Sequence, residues 1–158
     1  MLLFARRYDQ AIEQFEQVLK FDPSFAGAHW GLGATYAFKS CHEYAIAATR
    51  KAVELSRGAP LFVATLGEAY AAAGSRDDAL KILEQLRELP KESYVLPYAV
   101  ARIHAALGNR DEAFHWLETA YRERAAYMVC LKIDPRFDDL RPDPRFQDLL
   151  RRMNFPQI

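Results

Sequence analysis

The fold is decided by residues 32–45, which read LGATYAFKSCHEYA. The same arrangement returns at residues 66–79, which read LGEAYAAAGSRDDA. In both stretches a Leu-Gly pair is followed by Tyr, a short break and an alanine. That alanine belongs to a series spaced 34 residues apart: Ala11, Ala45, Ala79 and Ala113. A period of this length predicts stacked pairs of helices, and such arrays usually bind other molecules rather than catalyse reactions.

Each repeat divides into two helices with a turn between them. The second repeat predicts helices at residues 26–38 and 43–55. Gly33 lies inside the first of these, and a helical glycine costs about 1 kcal/mol relative to alanine. We therefore expect a neighbouring helix to approach closely at Gly33. A glycine stop followed by a helix start recurs in the later repeats, at Gly74-Ser75 and Gly108-Asn109.

The sequence begins inside a repeat. Residues 6–23 form a full second helix, and only residues 1–5 precede it. Most of the first helix of that repeat is missing, so an apolar stripe on the second helix should be poorly covered. This predicts a self-association edge at Ile12, Phe15 and Leu19. Two explanations stay open: a homodimer through this N-terminal edge, or a fragment whose missing part covers it.

These signals resemble the tetratricopeptide-repeat family. The residues that carry the resemblance are Ala11, Asp22, Pro23, Leu32, Gly33, Tyr36, Ala45, Ala52, Leu66, Gly67, Tyr70 and Ala79. The resemblance implies an all-α superhelix of about three and a half helix-turn-helix repeats plus a helical cap. The implied repeats are a partial one at 1–25 and others at 26–59, 60–93 and 94–124, followed by a capping segment at 125–158. The fourth repeat departs most, with His104 in place of Tyr.

The tail carries a short duplication. Residues 134–140 read DPRFDDL, and residues 143–149 read DPRFQDL. An Asp-Pro pair is a good helix start, because the carboxylate caps free N–H groups and proline suits the first turn. We favour a cap on the end of the array, and a ligand or partner site is the alternative. The tail also resembles the C-terminal end of many bacterial tetratricopeptide-repeat proteins, some with an upstream kinase, adenylate-cyclase or DNA-binding regulator domain. A homo-oligomerising scaffold or a regulatory fragment of such a signalling protein is therefore the alternative function.

The composition argues against several classes of function. Lysine plus arginine equals aspartate plus glutamate at 21 each, which argues against broad binding to a phosphate backbone and leaves a local basic patch open. We predict no nucleic-acid partner. No HExxH motif or Cys/His zinc spacing occurs, and paired carboxylates fall at predicted helix starts. We predict no enzyme activity, no cofactor and no metal site. No apolar run approaches the ~20 residues of a membrane span. This favours the cytoplasm, or the periplasm if the chain is a fragment of a membrane-anchored regulator.

The family resemblance also implies a binding surface. In this family the first helices of the repeats line a concave groove. The groove implied here consists of Trp30, Ala34, Phe38, Ala64, Glu68, Tyr98 and Arg102. Aromatic residues at each end and a central charge pair suit a peptide or partner protein. The alternative is that Trp30 and Phe38 pack between repeats.

Overall fold

The structure is a computed structural model of the 158-residue chain, and it describes residues 6–89 and 97–155. The chain divides into two compact units, Met1–Val95 and Leu96–Ile158. Within the described ranges all regular secondary structure is helical. This confirms the prediction of an all-α fold.

The described part of the N-terminal unit consists of α1 (Tyr8–Phe21), α2 (Ala26–Phe38), α3 (His42–Leu55), α4 (Pro60–Ala72) and α5 (Arg76–Arg87). Each helix packs against the next one in the chain, and α2 also contacts α4. The first helices of two neighbouring repeats therefore lie side by side. This is the arrangement that a 34-residue repeat of helix pairs predicts.

The close approach expected at Gly33 is present. A Cβ atom at this position would lie 2.9 Å from Thr49 Oγ1 and 3.1 Å from the carbonyl oxygen of Ala45. Ala45 and Thr49 are both completely buried on α3. Small residues at this crossing let α2 and α3 meet almost backbone to backbone, and that contact compensates for the helical glycine.

The turn inside a repeat has the same backbone conformation three times. Ser40, Gly74 and Gly108 have φ angles of 57°, 77° and 73° and stand 34 residues apart. This left-handed region is open to glycine but costs other residues energy. The stops predicted at Gly74 and Gly108 are confirmed, and Ser40 takes the same turn without glycine. Ser75 makes no side-chain capping hydrogen bond at the start of α5.

The described part of the C-terminal unit consists of α6 (Pro97–Ala106), α7 (Arg110–Arg122), 3₁₀ helices at Ala126–Cys130 and Pro135–Leu140, and α8 (Pro144–Arg152). Its core joins α6 and α7 to the tail and includes Tyr98, Leu117, Leu131, Phe137, Leu140, Phe146 and Leu149. The phenylalanines of the duplicated tail elements, and Leu140 and Leu149, are buried in this core. The compact unit begins at Leu96 rather than at residue 125, because the tail shares one core with α6 and α7.

Candidate functional site

Trp30 joins the two first helices of the N-terminal unit. Its indole Nε1 donates a hydrogen bond of 2.9 Å to Thr65 Oγ1 on α4. The centre of its ring system lies 5.9 Å from that of Phe62. Both side chains are half-buried, so part of each ring remains accessible. Trp30 therefore packs between repeats, as the alternative interpretation held, while part of the aromatic pair still faces solvent.

Phe38 and Ala34 are less accessible to a binding partner than Trp30. The Phe38 ring stacks on that of Tyr8 in α1, with centroids 5.6 Å apart and planes within 6°. Ala34 is buried. An ion pair between Lys39 and Asp9 joins the same two helices nearby. The end of α2 is therefore occupied in packing against the preceding helix.

Four other predicted groove residues are buried: Ala64 and Glu68 on α4, and Tyr98 and Arg102 on α6. The hydroxyl of Tyr98 donates a hydrogen bond of 2.8 Å to Asp134 Oδ2. Its ring meets the Phe137 ring edge-on, with centroids 5.4 Å apart. The Arg102 guanidinium lies 5.9 Å from the centre of the Tyr98 ring. The expectation that these four side chains face a groove is wrong, since the structure uses them in its interior.

Asp134 is the buried polar centre of the C-terminal unit. Its Oδ1 accepts hydrogen bonds from the Arg136 backbone N–H at 3.1 Å and from Arg136 Nε at 2.7 Å, and Oδ2 accepts from Nη2 at 2.7 Å. Burial alone would raise the pKa of Asp134, but the charge and hydrogen bonds of Arg136 outweigh burial and hold the pKa below its usual range. Burial and the nearby carboxylate raise the pKa of Tyr98. A charged, fully bonded carboxylate of this kind supports structure and is not a general acid or base.

The second Asp-Pro-Arg-Phe element repeats this geometry nearer the surface. Asp143 Oδ1 accepts from the Arg145 backbone N–H at 3.0 Å and from Nε at 3.1 Å, and Oδ2 accepts from Nη2 at 2.9 Å. Arg145 Nη1 also donates to Asp111 Oδ1 at 2.8 Å, and the guanidinium lies 4.1 Å from the centre of the Phe114 ring. The hydrogen bonds from Arg145 lower the pKa of Asp143 to about 2. The helix-capping role predicted for Asp134 and Asp143 is confirmed.

The predicted self-association edge is half-buried. Ile12, Phe15 and Leu19 share one side of α1 and are half-buried. The Phe15 ring fills the space beside Gly31 of α2, where a Cβ atom would overlap it. Phe15 therefore belongs to the α1–α2 contact, and self-association through Ile12, Phe15 and Leu19 stays a prediction. The exposed apolar side chains of α1 are Val18 and Phe21.

In the described part of the chain, no cluster of three or more His, Cys, Asp or Glu side chains is arranged to hold a metal ion. None of the described helices combines the length and the hydropathy needed to cross a bilayer. Cys41 and Cys130 are free thiols.

Residues 7–38 match a family model described as TPR repeat. The matched range spans α1 and α2, which are the second helix of one repeat and the first helix of the next. No curated protein and no solved structure matches the chain. Over this pair of helices the chain is similar to a tetratricopeptide repeat, in agreement with the resemblance inferred from its sequence.

Proposed function

We propose that the chain is a non-catalytic protein-binding module that takes a peptide or partner protein on the first helices of its N-terminal unit. The Trp30–Phe62 pair carries this proposal, because it is shared by α2 and α4 and keeps part of both rings accessible. Aromatic residues dominate the binding energy of many interfaces. The match of α1 and α2 to a tetratricopeptide repeat supports the same function, since repeats of this family generally bind proteins.

The aromatic pair is held in place before any partner arrives. The hydroxyl of Thr65 donates to the carbonyl oxygen of Leu61 at 2.9 Å, which leaves a lone pair directed to Trp30 Nε1. The indole is thus fixed by a hydrogen bond on one edge and by Phe62 on its side. A rigid anchor loses little conformational entropy on binding, so more of the contact energy becomes affinity.

The tail has a supporting role in this proposal and forms a cap rather than a second partner site. Phe137 and Phe146 are completely buried in the core of the C-terminal unit. The guanidinium group of Arg136 donates to Asp134, and that of Arg145 donates to Asp111. The phenylalanines and arginines of the duplicated elements therefore make contacts within the chain.

Selection of random peptides on the purified chain tests the proposed surface. Selected peptides should bind the Trp30→Ala variant at least about 30-fold more weakly, which is the usual effect of removing an aromatic hot spot. Tyr44→Ala is the matched control, because Tyr44 is an exposed aromatic residue on the second helix α3. Circular dichroism checks that both variants fold. Unchanged binding to Trp30→Ala would place the surface elsewhere.

Fluorescence gives an independent readout of the same contact. The chain has two tryptophans, so Trp116→Phe leaves Trp30 as the only reporter. A bound peptide should shift the Trp30 emission in proportion to occupancy, because it excludes water from the exposed part of the indole. A peptide that binds without changing this emission would speak against the assignment.

A further inference from the structure

A third accessible aromatic ring lies on the face of α2 that carries Trp30. Gly27 stands one turn before Trp30 and shares its side of the helix. The Phe25 ring lies against Gly27, since a Cβ atom at Gly27 would be 3.0 Å from it. Phe25 is 51% exposed, and Trp30 and Phe62 are half-buried, so all three rings keep accessible surface. These three residues are here called the aromatic face.

The two helices behind the aromatic face present no accessible Asp, Glu, Lys or Arg side chain. Both α2 and α4 are described over their whole length, and Glu68 is the one residue of these four types in them. Glu68 is buried, and His29 Nε2 donates to the carbonyl oxygen of Pro23 at 2.9 Å. A charged group of a partner placed on these helices would lose water without gaining an ion pair at their surface. The part of the partner that contacts them should therefore be uncharged.

The hydrogen-bonding groups of the aromatic face are already used within the chain. Trp30 Nε1 is the one polar atom in its three side chains, and it donates to Thr65 Oγ1. The backbone N–H groups inside α2 and α4 bond within their own helices. An extended peptide needs partners for its own N–H and C=O groups, and unpaired ones cost free energy once water is excluded. An α-helix bonds these groups internally, so the aromatic face favours a helical partner.

We propose that the aromatic face binds an amphipathic α-helix of the partner through apolar, uncharged side chains. This inference rests on the proposed function, and it adds the chemistry of the partner and a contact at Phe25. Apolar residues three and four apart form one stripe along such a helix, while its charged residues stay in water. The positions four residues before and after Trp30 are Ala26 and Ala34, and small residues let another helix approach closely.

Selection from two peptide libraries tests the chemistry of the partner. One library has an alanine-rich scaffold of about 18 residues, long enough to form a helix in water, with all amino acids allowed along one face. The other has as many variable positions in a proline-rich scaffold, which stays extended. The peptides kept are those that bind the unsubstituted chain and fail to bind Trp30→Ala. They should come from the helical library and carry Leu, Ile, Met or Phe, without Asp, Glu, Lys or Arg, at the contacting positions.

The outcomes of the selection separate this inference from the proposed function. Trp30-dependent peptides that come mainly from the extended library would overturn the helical partner and leave the proposed function intact. Trp30-dependent helical peptides rich in Lys or Arg at the contacting positions would also overturn the inference, because they would show that the surface recognises a cation. If neither library yields a Trp30-dependent peptide, the proposed function fails and this inference fails with it.

Two measurements with a selected helical peptide test the contact itself. Phe25 and Tyr44 are exposed aromatic residues, at 51% and 67%, but Tyr44 lies on α3 outside the aromatic face. Phe25→Ala should weaken binding about 10-fold, whereas Tyr44→Ala should leave it unchanged, with equal helicity by circular dichroism. The dissociation constant should change less than about twofold between about 50 mM and about 500 mM NaCl, because no ion pair contributes. Full affinity of Phe25→Ala, or a strong dependence on salt, would overturn the inference.

Discussion

The two Asp-Pro-Arg-Phe elements make the same local hydrogen bonds in different surroundings. In both, one carboxylate accepts from the backbone N–H, Nε and Nη2 of the arginine two residues later. The Asp134 side chain is 0% exposed and also bonds Tyr98, whereas Asp143 is 13% exposed and its arginine is 49% exposed. The four-residue motif therefore sets the local geometry, and its position in the fold sets its environment.

This difference decides how much each element should matter for stability. Removing one partner of a buried ion pair leaves the other charge without compensation in a medium that solvates it poorly. Removing one partner of an exposed pair leaves a charge that water solvates. We therefore expect the loss of Asp134 to lower stability more than the loss of Asp143, although both make the same hydrogen bonds with their arginines.

Asp134→Ala should give the largest effect. It removes the buried carboxylate that accepts hydrogen bonds from both Arg136 and the Tyr98 hydroxyl, which should lower the free energy of unfolding by about 3–5 kcal/mol. Asp143→Ala is the matched control and should cause a clearly smaller loss. Urea unfolding followed by Trp116 fluorescence in a Trp30→Phe background measures both, because Trp116 packs against the core of the C-terminal unit. Equal losses in the two variants would contradict the comparison.

Tyr98→Phe isolates the hydrogen bond that only the buried element has. Asp134 keeps its three bonds from Arg136 but loses the fourth, from the Tyr98 hydroxyl. A hydrogen bond to a charged group contributes about 1.5–3 kcal/mol, so we expect a loss of this size in the same unfolding experiment. The Asp134→Ala, Tyr98→Phe double variant should lose less than the sum of the two single losses. Strict additivity would show that the two groups do not interact.

The pH dependence of stability extends the comparison to protonation. Asp143 has a folded-state pKa of about 2, against about 3.9 in the unfolded chain. A lowered folded pKa adds stability that is complete above the unfolded pKa and is lost as pH falls through the folded pKa. The stability difference between the unsubstituted chain and Asp143→Asn should therefore be constant above about pH 5 and shrink toward pH 2. Melting temperatures across this range measure it, and a difference that persists at pH 2 would refute the lowered pKa.

Asp111→Asn should give the smallest effect. It removes the outer partner of Arg145, whose guanidinium still bonds Asp143 and still covers the Phe114 ring. Exposed ion pairs of this kind contribute little to stability. We expect no change in unfolding beyond experimental error at physiological salt. A large loss of stability would contradict the comparison, because it would show that the exposed element contributes nearly as much stability as the buried one.

The helix pairs could be predicted from the sequence because close helix contacts require small residues at regular positions. Gly33 and the alanines of the 34-residue series occur where two helices meet, so their spacing reports the register directly. The turns at Gly74 and Gly108 could be predicted for a similar reason, since a left-handed φ favours glycine.

The candidate site was predicted less well, because it depends on contacts distant in sequence. The family resemblance implied that Tyr98 lines a groove, but the tail packs on Tyr98 through Asp134, 36 residues away. On α1 the most apolar side, with Ile12 and Phe15, is the side already packed against α2. The uncovered side is signalled only by comparing Val18 with the buried Ala52 one repeat later.

The central claim is that partners bind the first helices while the tail only supports the fold. Amide chemical shifts of the labelled chain, recorded while a selected peptide is added, test it most directly. We expect the shifts to centre on Trp30 and Phe62 and residues 134–149 to stay unperturbed. Shifts centred on Arg136 or Arg145, with Trp30 unaffected, would contradict it and identify the duplicated tail elements as the partner site.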